Sequence, residues 1–553
     1  MSSHPIDYPE RFNLATWLLE HNLAARPGKV AVRSEAGEWS YAQVADLAAR
    51  VQALLARLGH LHEQRALLVL PDGIEFVAAW LGTLQAGGVF AMVNPRLKAE
   101  EYAYYLEYSR APVAFVHDGA WPEFVAGARG ARFLRAVVVV GPGADACVES
   151  RGGFAALPWD AAIAAETPAA APFDSHKDDG CGWLFTSGTS GKPKAAMHRH
   201  ADFAWNIDHY AKQVLALDAR DTTMAVSKLF FGYATGTNLM FPFAVGATTA
   251  LFAEPSKPET VIAHARRHRP TLLAAVPTTL NGILELDAAQ VAAALRSLRM
   301  VLSAGEALPP SLAVAFKERF GVDILDGIGS AEMFHIYISN RPGDVVTGSL
   351  GTVVPGYAAR IVGDDGREVA DGEVGTLQVS GASAAQGYFQ DVAKSRTTFK
   401  GDTCISGDLF RRDRDGRFWY EGRADDLLKV AGIWVAPREV EECLLAHPAV
   451  AECCVVGCED ERGLVAPLAW VALHAGHAPT AATAEAIVAH ARGRLSHWKT
   501  PRRVEFLGEL PRNDRGKVAR VELKARAKAL PRTASGAGGA AGAQSAPGAE
   551  GAR

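Results

Sequence analysis

The stretch LFTSGTSGKPK, Leu184–Lys194, places small, hydroxyl-bearing and cationic residues directly behind a short apolar run. Gly188 and Gly191 free the backbone to turn its amide groups inward, and the neighbouring Thr and Ser hydroxyls add hydrogen-bond donors. Lys192 and Lys194 add positive charge. Amides, hydroxyls and ammonium groups together suit a phosphate group, so the stretch predicts a phosphate-binding turn. For this string alone, the alternative is a flexible surface turn.

The order of residues in this turn excludes a Walker-type phosphate loop. Such a loop that ended at Gly191 and Lys192 would need glycine at position 186 and a hydroxyl at position 193. The chain has Thr186 and Pro193 there. A different kind of phosphate-binding turn is therefore expected.

Composition limits the classes of function that the chain can have. Its 553 residues are 49% hydrophobic and 21% charged, with a formal net charge of -4, so no basic field favours a nucleic acid partner. The N-terminus mixes charged and apolar residues and predicts no secretory signal. The longest apolar stretch, around Phe241 to Phe252, is too short to cross a bilayer. Seven sparse cysteines predict a reducing, cytoplasmic location and no disulfide framework.

Three cysteines cluster in the segment AVAECCVVG and shortly after it. Cys453, Cys454 and Cys458 could contribute to a metal site, which would need a fourth ligand and a turn between ligand pairs. The alternative is a buried strand that carries small apolar thiols, and the surrounding valines and alanines favour it.

Short apolar runs that alternate with helix-period segments predict an α/β fold with mostly parallel sheets. One example is RALLVLP, followed by an amphipathic segment over Phe76 to Leu84 and then by GGVFAMV. The composition shifts near Gly422 to Asp426. Before this shift, FRRDRDGRFWYEG predicts two strands around an Asp415-Gly416 turn, and after it a short unit begins with a predicted helix that Pro437 opens and that ends before Pro448. The predicted organisation is an N-terminal domain over residues 1–422, a junction at 423–425, a C-terminal domain over 426–530 and a disordered tail over 531–553.

Five segments in order resemble the motifs of the adenylate-forming superfamily, which contains acyl- and aryl-CoA ligases, peptide-synthetase adenylation domains and luciferases. They are LFTSGTSGKPKAAMHRH, SAGEALP at 303–309, DGIGSAE at 326–332, SGDLFRRDRDGRFWYEGRADDLLKVAG at 406–432 and NDRGKV at 513–518. The resemblance extends over about residues 10–527. It implies a large N-terminal domain of layered sheets and helices, a small mobile α+β lid, and the use of ATP, Mg²⁺ and coenzyme A.

Carried over by position, the resemblance implies a nucleotide site. The loop over the ATP phosphates would comprise Thr186, Ser187, Gly188, Thr189, Ser190, Gly191, Lys192 and Lys194. The adenine slot would comprise Gly305, Glu306, Ala307, Asp326, Gly327 and Ile328. Asp408 and Arg423 would bind the ribose and nearby oxygens, and Glu332 would be the carboxylate near Mg²⁺.

The resemblance also implies two half-reactions that use different residues. Lys517 resembles the catalytic lysine of the family and would assist attack of the carboxylate on the α-phosphate. Asp425 matches the hinge, and the segment from Lys429 to Val435, which includes Gly432, matches the loop that replaces Lys517 for the reaction with coenzyme A. A lid that carries Lys517 must move away before the thiol reacts.

The segments SKLFFGYATG at 227–236, VPTTL at 276–280 and GIGSAEMFHIYISNRPGDV at 327–345 resemble benzoate-CoA and hydroxybenzoate-CoA ligases. Aromatic residues and glycines without acidic groups suit a flat apolar ring. The predicted acyl pocket is lined by Phe231, Gly232, Tyr233, Ile328, Gly329, His335 and Ile336. The sequence leaves two interpretations of His335 open: the side chain could contact a substituent on the ring of the substrate, or it could simply pack in the core.

Several positions depart from the family pattern. Ala331 replaces a threonine before the Mg²⁺ glutamate, Ala195 replaces a glycine, Phe231 stands where many relatives have histidine, and Arg515 stands where small hydroxyls are common. The sequence predicts an AMP-forming aryl-CoA ligase for benzoate or a hydroxy- or aminobenzoate. Two alternatives remain open, namely an enzyme that loads an aryl acid onto a carrier protein and a nucleotide-binding protein without turnover.

Overall fold

The computed structural model describes residues 6–149, 153–187, 192–430, 433–459, 464–512 and 518–530. These residues form two compact units. The large unit comprises the described residues of Met1–Arg360, Gln378–Ser406 and Arg412–Trp419, and the small unit comprises those of Ile361–Leu377, Gly407–Arg411 and Tyr420–Arg553. The small unit thus takes in two segments that precede the expected hinge. The domain boundaries at 422 and 426 stay predictions.

The strands of the described chain are β1 Val30–Arg33, β2 Glu38–Ser40, β3 Arg65–Val69, β4 Val89–Met92, β5 Val113–His117, β6 Ala136–Val140, β7 Ala155–Pro158, β8 Gly180–Ser187, β9 Pro193–Arg199, β10 Thr222–Ala225, β11 Thr248–Ala250, β12 Leu272–Ala275, β13 Met300–Ser303, β14 Ile324–Gly329, β15 Ile336–Ser339, β16 Thr352–Val353, β17 Ala358–Val362, β18 Gly375–Ser380, β19 Phe399–Lys400, β20 Thr403–Arg412, β21 Phe418–Arg423, β22 Leu428–Val430, β23 Ile433–Val435, β24 Val450–Glu459, β25 Val465–Leu473 and β26 Arg503–Phe506.

The α-helices of the same residues are α1 Leu14–Ala25, α2 Tyr41–Arg57, α3 Ile74–Gln85, α4 Ala99–Ser109, α5 Trp121–Gly127, α6 Ala144–Glu149, α7 Trp159–Ala164, α8 His200–Asn206, α9 Gly232–Thr235, α10 Phe241–Val245, α11 Pro258–His268, α12 Pro277–Leu284, α13 Ala288–Leu295, α14 Pro310–Phe320, α15 Val392–Thr398, α16 Pro437–Leu445, α17 Ala481–Arg492 and α18 Arg520–Ala529. Ile207–Val214 and Gly236–Met240 are π-helical, and Asp118–Ala120, Ala331–Met333 and Ala424–Asp426 are 3₁₀ turns.

Two mostly parallel sheets organise the large unit. Within the described residues, one sheet has the strand order β7-β6-β5-β3-β4-β8-β9, with only the β8–β9 pair antiparallel. The other has the order β16-β15-β14-β13-β12-β10-β11-β1-β2, parallel from β14 to β1. Strands such as β6, AVVVV, are buried along their whole length because helices cover both faces of a parallel sheet. The predicted α/β fold is confirmed.

Helix α3 differs from its sequence prediction. The segment Phe76 to Leu84 is predicted to be amphipathic, but every residue from Phe76 to Leu84 is buried. Neighbouring elements cover this helix on all sides: Gly82 packs so tightly against Val51 of α2 that a methyl group there would lie 2.5 Å from the Val51 Cβ. A helix that is apolar all round is typical of a core position.

The small unit has its own sheet and core. Strands β24 and β25 are antiparallel, and β26 pairs with β25 in parallel. Cys453 and Cys454 point to opposite faces of β24, where Cys453 packs beside Val455 and Cys454 packs with Leu468. The predicted strand with apolar thiols is present. Burial raises the pKa of the Cys454 thiol to about 12.

A five-stranded sheet has the order β17-β18-β20-β19, with β21 paired to β20, and β22 pairs with β23. The predicted pair of strands around the Asp415-Gly416 turn corresponds to β20 and β21. Among the described residues, no helix is both long and apolar enough to span a membrane.

Candidate active site

The hairpin of β8 and β9 presents the predicted phosphate-binding turn. Thr186 at the end of β8 lies opposite Lys194 of β9, and Ser187 lies opposite Pro193. Gly188, Thr189, Ser190 and Gly191 lie outside the described residues. The hairpin therefore brings the two ends of the turn together and fixes the position of Lys194 on a strand.

Lys194 and Glu332 are linked through an aromatic residue that the motifs do not include. The Lys194 ammonium lies over the Tyr388 ring, 3.9 Å from its centroid. The Tyr388 hydroxyl donates a 2.7 Å hydrogen bond to Glu332 Oε1. Lys192 lies over the Tyr104 ring at 5.5 Å, and the Tyr104 hydroxyl donates to the Pro193 carbonyl. The structure therefore brings Lys194 and the predicted Mg²⁺ carboxylate into one cluster, whereas Lys192 contacts a separate tyrosine.

The backbone beside Glu332 is fixed by a buried histidine. His198 of β9 donates from Nε2 to the Ala331 carbonyl at 2.7 Å, and its Nδ1 lies 3.3 Å from Asp202 Oδ2. Both side chains are fully buried. The Ala385 amide donates to the Glu332 carbonyl at 2.9 Å. Ala331 thus lacks the hydroxyl that the family carries, but its carbonyl is firmly held.

The segments predicted to form the adenine slot lie side by side. Strands β13 and β14 are parallel neighbours, with Ser303 opposite Asp326, so Gly305, Glu306 and Ala307 follow the strand adjacent to Gly327 and Ile328. Gly305 adopts a φ of +90°, which L side chains rarely reach. Glu306 is oriented by Thr278, whose hydroxyl donates to Glu306 Oε2 at 2.9 Å.

His335 lies at the centre of the predicted acyl pocket. Its ring stacks on Tyr233 with centroids 5.3 Å apart, and Phe241 meets it edge to face at 4.7 Å. His335 Nε2 donates to the Tyr233 carbonyl at 3.1 Å. Gly236 makes room for this ring, because a Cβ there would collide with His335 Cδ2. Gly329 pairs with Ile336 in the β14–β15 ladder, so these predicted pocket residues also lie together.

Two buried polar atoms of this pocket have no hydrogen-bond partner among the described residues, His335 Nδ1 and the Tyr233 hydroxyl. Burial lowers the pKa of His335 to about 4, so the ring is neutral near pH 7. With Nε2 donating its proton, Nδ1 presents a lone pair. The pocket therefore combines aromatic walls with one acceptor and one hydroxyl.

Phe231 and Gly232 begin the helix α9 that carries Tyr233. Phe231 is the N-cap residue and packs on Phe230, with ring centroids 4.4 Å apart. The Leu229 amide just before them donates to Asp72 Oδ1 at 2.7 Å. This buried contact anchors the segment that leads into the pocket.

Within the small unit, Asp408 of β20 and Arg423 at the end of β21 lie close together, with 3.9 Å between Asp408 Oδ1 and Arg423 Nε. Lys429 is an exposed residue of β22, and Asp425 belongs to the 3₁₀ turn before it. Gly432 and Lys517 lie outside the described residues. Shortly after Lys517 in sequence, Arg520 is anchored by Glu441 at 2.7 Å.

The comparisons with known proteins decide the family. Residues 19–389 match the AMP-binding enzyme family, and residues 439–517 match the C-terminal domain of AMP-binding enzymes. The chain belongs to the AMP-binding enzyme family. This family member is 40% identical to the benzoate–CoA ligase of Thauera aromatica, over 94% of this chain and 97% of that protein.

Two solved structures resemble this AMP-binding enzyme along nearly its whole length. An anthranilate CoA ligase, AuaEII, in complex with anthranoyl-AMP has a TM-score of 0.88 and 37% identity, covering 95% of this chain and 98% of that one. A benzoate CoA ligase from Burkholderia xenovorans LB400 has a TM-score of 0.84 and 36% identity, covering 93% and 100%. The AMP-binding enzyme is an AMP-forming aryl-CoA ligase that uses ATP, Mg²⁺ and coenzyme A. Neither carrier-protein loading nor binding without turnover is favoured.

The side chains near Glu332 fit a magnesium ion. Mg²⁺ in nucleotide sites takes one or two carboxylates and completes its shell with phosphate oxygens and water. Glu332 is half-buried, and among the described residues only the Tyr388 hydroxyl bonds its carboxylate, through Oε1. Oε2 is therefore available to a cation. One carboxylate beside a phosphate loop is the donor set that such an ion requires.

Tyr388 and His198 are the residues of this cluster that sequence reasoning missed. Tyr388 lies 56 residues from Glu332, and His198 lies 133 residues from Ala331. Taken alone in the sequence, a tyrosine or a histidine at these positions would be interpreted as an ordinary residue of the hydrophobic core. The only signal in sequence is that His198 lies within the segment LFTSGTSGKPKAAMHRH, four positions after Lys194 on the same strand.

Proposed function

We propose that this enzyme activates benzoate or a hydroxy- or aminobenzoate. The observation that supports this most strongly is the aromatic cluster around His335, whose ring contacts Tyr233 and Phe241 with no acidic residue among these three side chains. A benzene ring would contact such side chains by stacking and edge contacts. The benzoate- and anthranilate-CoA ligase names of the similar proteins support the same substrate class.

The chemistry proceeds in two displacements. A carboxylate oxygen of the aryl acid attacks the α-phosphorus of ATP, the bond to the bridging oxygen breaks, and pyrophosphate leaves. The thiolate sulfur of coenzyme A then attacks the acyl carbon, and AMP leaves with the electron pair of the broken C–O bond. Both displacements join or release anions, so cations and donors must offset their repulsion.

We assign the cations and donors as follows. The amides and hydroxyls of the turn from Thr186 to Gly191, with Lys192 and Lys194, hold the phosphates. Glu332 holds Mg²⁺, which when bound supplies charge neutralisation at the phosphate oxygens. The adenine lies between Gly305–Ala307 and Asp326–Ile328, and Asp408 with Arg423 binds the ribose. Support comes from the Lys194–Tyr388–Glu332 cluster and from the 3.9 Å Asp408–Arg423 pair.

Lys517 serves the adenylation step, by donating to the α-phosphate and the attacking carboxylate oxygen, as the resemblance implies. Asp425 is the hinge of the C-terminal domain, and Lys429 with Gly432 serves the reaction with coenzyme A. The enzyme works in the cytoplasm, where ATP and coenzyme A are available. The seven cysteines all lie within the described residues and form no disulfide there, which suits a reducing compartment.

The pocket suggests how ring substituents are distinguished. His335 Nδ1 is a buried acceptor that has no hydrogen-bond partner in the described part of the chain, and an unsatisfied buried polar atom costs about 1–3 kcal/mol. A ring hydroxyl or amine that donates to Nδ1 would remove this cost. We therefore expect His335→Leu to lower kcat/KM for hydroxy- or aminobenzoate more than for benzoate.

The experiment that tests the substrate class is a CoA-dependent AMP-release assay. Initial rates are measured with benzoate, its hydroxy and amino derivatives, cinnamate and octanoate, with and without coenzyme A. The proposal predicts that a benzoate has the highest kcat/KM and that sustained AMP release needs coenzyme A. A higher kcat/KM for octanoate than for every aromatic acid would contradict the proposal.

A further inference from the structure

Tyr388 contacts both charged groups of the proposed nucleotide site. Its hydroxyl donates to Glu332 Oε1 at 2.7 Å, and its ring face lies beneath the Lys194 ammonium at 3.9 Å. The residue is only 5% exposed, so both contacts are shielded from water. A single side chain therefore joins the carboxylate and the cation that the chemistry requires.

Strand β9 holds the segment that carries Tyr388. The Met197 amide donates to the Gly387 carbonyl at 3.0 Å, and the Phe389 amide donates to the Ala195 carbonyl at 3.0 Å. The Tyr388 amide donates to Ser395 Oγ at 2.8 Å. Because Lys194 lies on this same strand, the ring and the ammonium are fixed in one framework.

The Tyr388 hydroxyl is the donor in its contact with Glu332, because a carboxylate oxygen such as Oε1 only accepts. An ammonium over a shielded aromatic face is also favourable. Neither contact competes with the other, since one uses the hydroxyl and the other uses the ring face.

We propose that Tyr388 is a positioning residue that aligns Glu332 and Lys194 together. By binding Oε1, it would leave Oε2 available to the cation, and by supporting the ammonium it would keep Lys194 in place for the phosphates. The proposal rests on the roles assigned above to Glu332 and Lys194. The alternative is that Tyr388 only packs, since its ring also meets Phe399 with centroids 5.3 Å apart.

The test compares Tyr388→Phe with wild type in acid-dependent ATP–pyrophosphate exchange as Mg²⁺ is varied. Loss of the hydroxyl should raise the Mg²⁺ concentration for half-maximal exchange by about 5- to 20-fold and lower the maximal rate, with the KM for benzoate unchanged. Tyr388→Leu, which also removes the ring face, should in addition raise the KM for ATP. A packing role would leave the Mg²⁺ dependence unchanged.

Tyr108→Phe is the matched control. The Tyr108 hydroxyl donates to the Phe389 carbonyl at 2.7 Å and accepts from the Ala195 amide, so it supports the same framework without touching Glu332 or Lys194. Its Mg²⁺ dependence should match wild type. An equal change in Tyr108→Phe and Tyr388→Phe would overturn the proposal, and so would failure of Tyr388→Phe to fold, because the hydroxyl would then be structural.

A double-variant cycle separates positioning from packing. If Tyr388 acts through Glu332, combining Tyr388→Phe with Glu332→Gln should cost no more than Glu332→Gln alone, whereas independent roles give multiplied losses. Multiplied losses would contradict the inference. Absence of exchange in the wild-type enzyme would instead contradict the proposed function.

Discussion

At the scale of single residues, burial keeps several imidazole rings neutral. Four histidines among the described residues of the large unit, His60, His200, His268 and His335, are buried, and burial lowers the pKa of each to about 4. A neutral imidazole is a stable acceptor in an aromatic pocket, whereas an imidazolium there would lack a counter-charge. The pocket is thus suited to a neutral ring at physiological pH.

This burial predicts acid sensitivity of the fold. His335 titrates near pH 4 when folded and near 6.5 when unfolded. Between these values the unfolded chain binds more protons, so the free energy of unfolding falls as pH falls from 6.5 to 4, by about 3 kcal/mol for this group. Urea unfolding of His335→Gln at successive pH values should show a flatter profile than wild type. The exposed His474→Gln serves as control and should retain the wild-type slope. Equal slopes in wild type and His335→Gln would contradict the assigned burial cost.

Sequence identifies residues that belong to motifs and misses those that act by contact alone. Glu332, Asp408 and Arg423 follow from the family motifs, and the structure brings Asp408 and Arg423 together as the assignment requires. Tyr388 and His198 do not follow, because their contacts with Glu332 and the Ala331 carbonyl join segments far apart in the chain. Only the fold determines which tyrosine meets the carboxylate.

At the scale of elements, the acyl pocket depends on close approach of backbone and ring. The π-helical turn Gly236–Met240 follows α9 directly, and its first residue faces His335. The first π-helical segment, Ile207–Val214, contributes Tyr210, whose ring lies 5.8 Å from His335. Such segments are often found at functional sites.

Gly236→Ala tests this close approach. A Cβ at position 236 would collide with the fully enclosed His335 ring, so the ring must move into the pocket. We expect kcat/KM for benzoate to fall by about 10- to 100-fold while the KM for ATP stays near wild type. Gly28→Ala is the control, because a Cβ there meets no atom within 4 Å. Unchanged benzoate kinetics in Gly236→Ala would show that His335 does not border the acid.

Elements were predicted well where capping and turn residues mark their ends. The helix opened by Pro437 and the turn at Asp415-Gly416 are both present, because proline starts a helix and Asp-Gly favours a hairpin. The sequence predicts that helix α3 is amphipathic, but the helix is buried on all sides. Neighbouring elements bury it, and the local sequence does not show which elements these will be. The two π-helical segments had no sequence signal.

At the scale of the whole molecule, the residues assigned to the reaction come from motifs that are distant in sequence. Lys194 and Glu332 belong to the large unit, whereas Asp408 and Arg423 belong to the small unit. The two half-steps are proposed to use other residues, with Lys517 serving adenylation and Lys429 with Gly432 serving thioester formation.

Lys517→Ala tests the division of labour. If Lys517 serves only adenylation, the variant should lose ATP–pyrophosphate exchange by at least about 100-fold and form thioester from supplied benzoyl-adenylate within about threefold of the wild-type rate. Lys528→Ala, on the final helix α18, is the control and should match wild type in both assays. Equal losses of exchange and thioester formation in Lys517→Ala would refute the division.

The most direct test of the central claim, that this enzyme joins an aromatic acid to ATP before coenzyme A reacts, is ATP–pyrophosphate exchange by the wild-type enzyme without coenzyme A. We predict exchange that requires both Mg²⁺ and benzoate or a hydroxy- or aminobenzoate. On addition of coenzyme A, aryl-CoA and AMP should then form in equal amounts. Exchange that is absent with every aromatic acid, or that proceeds without any acid, would contradict the account.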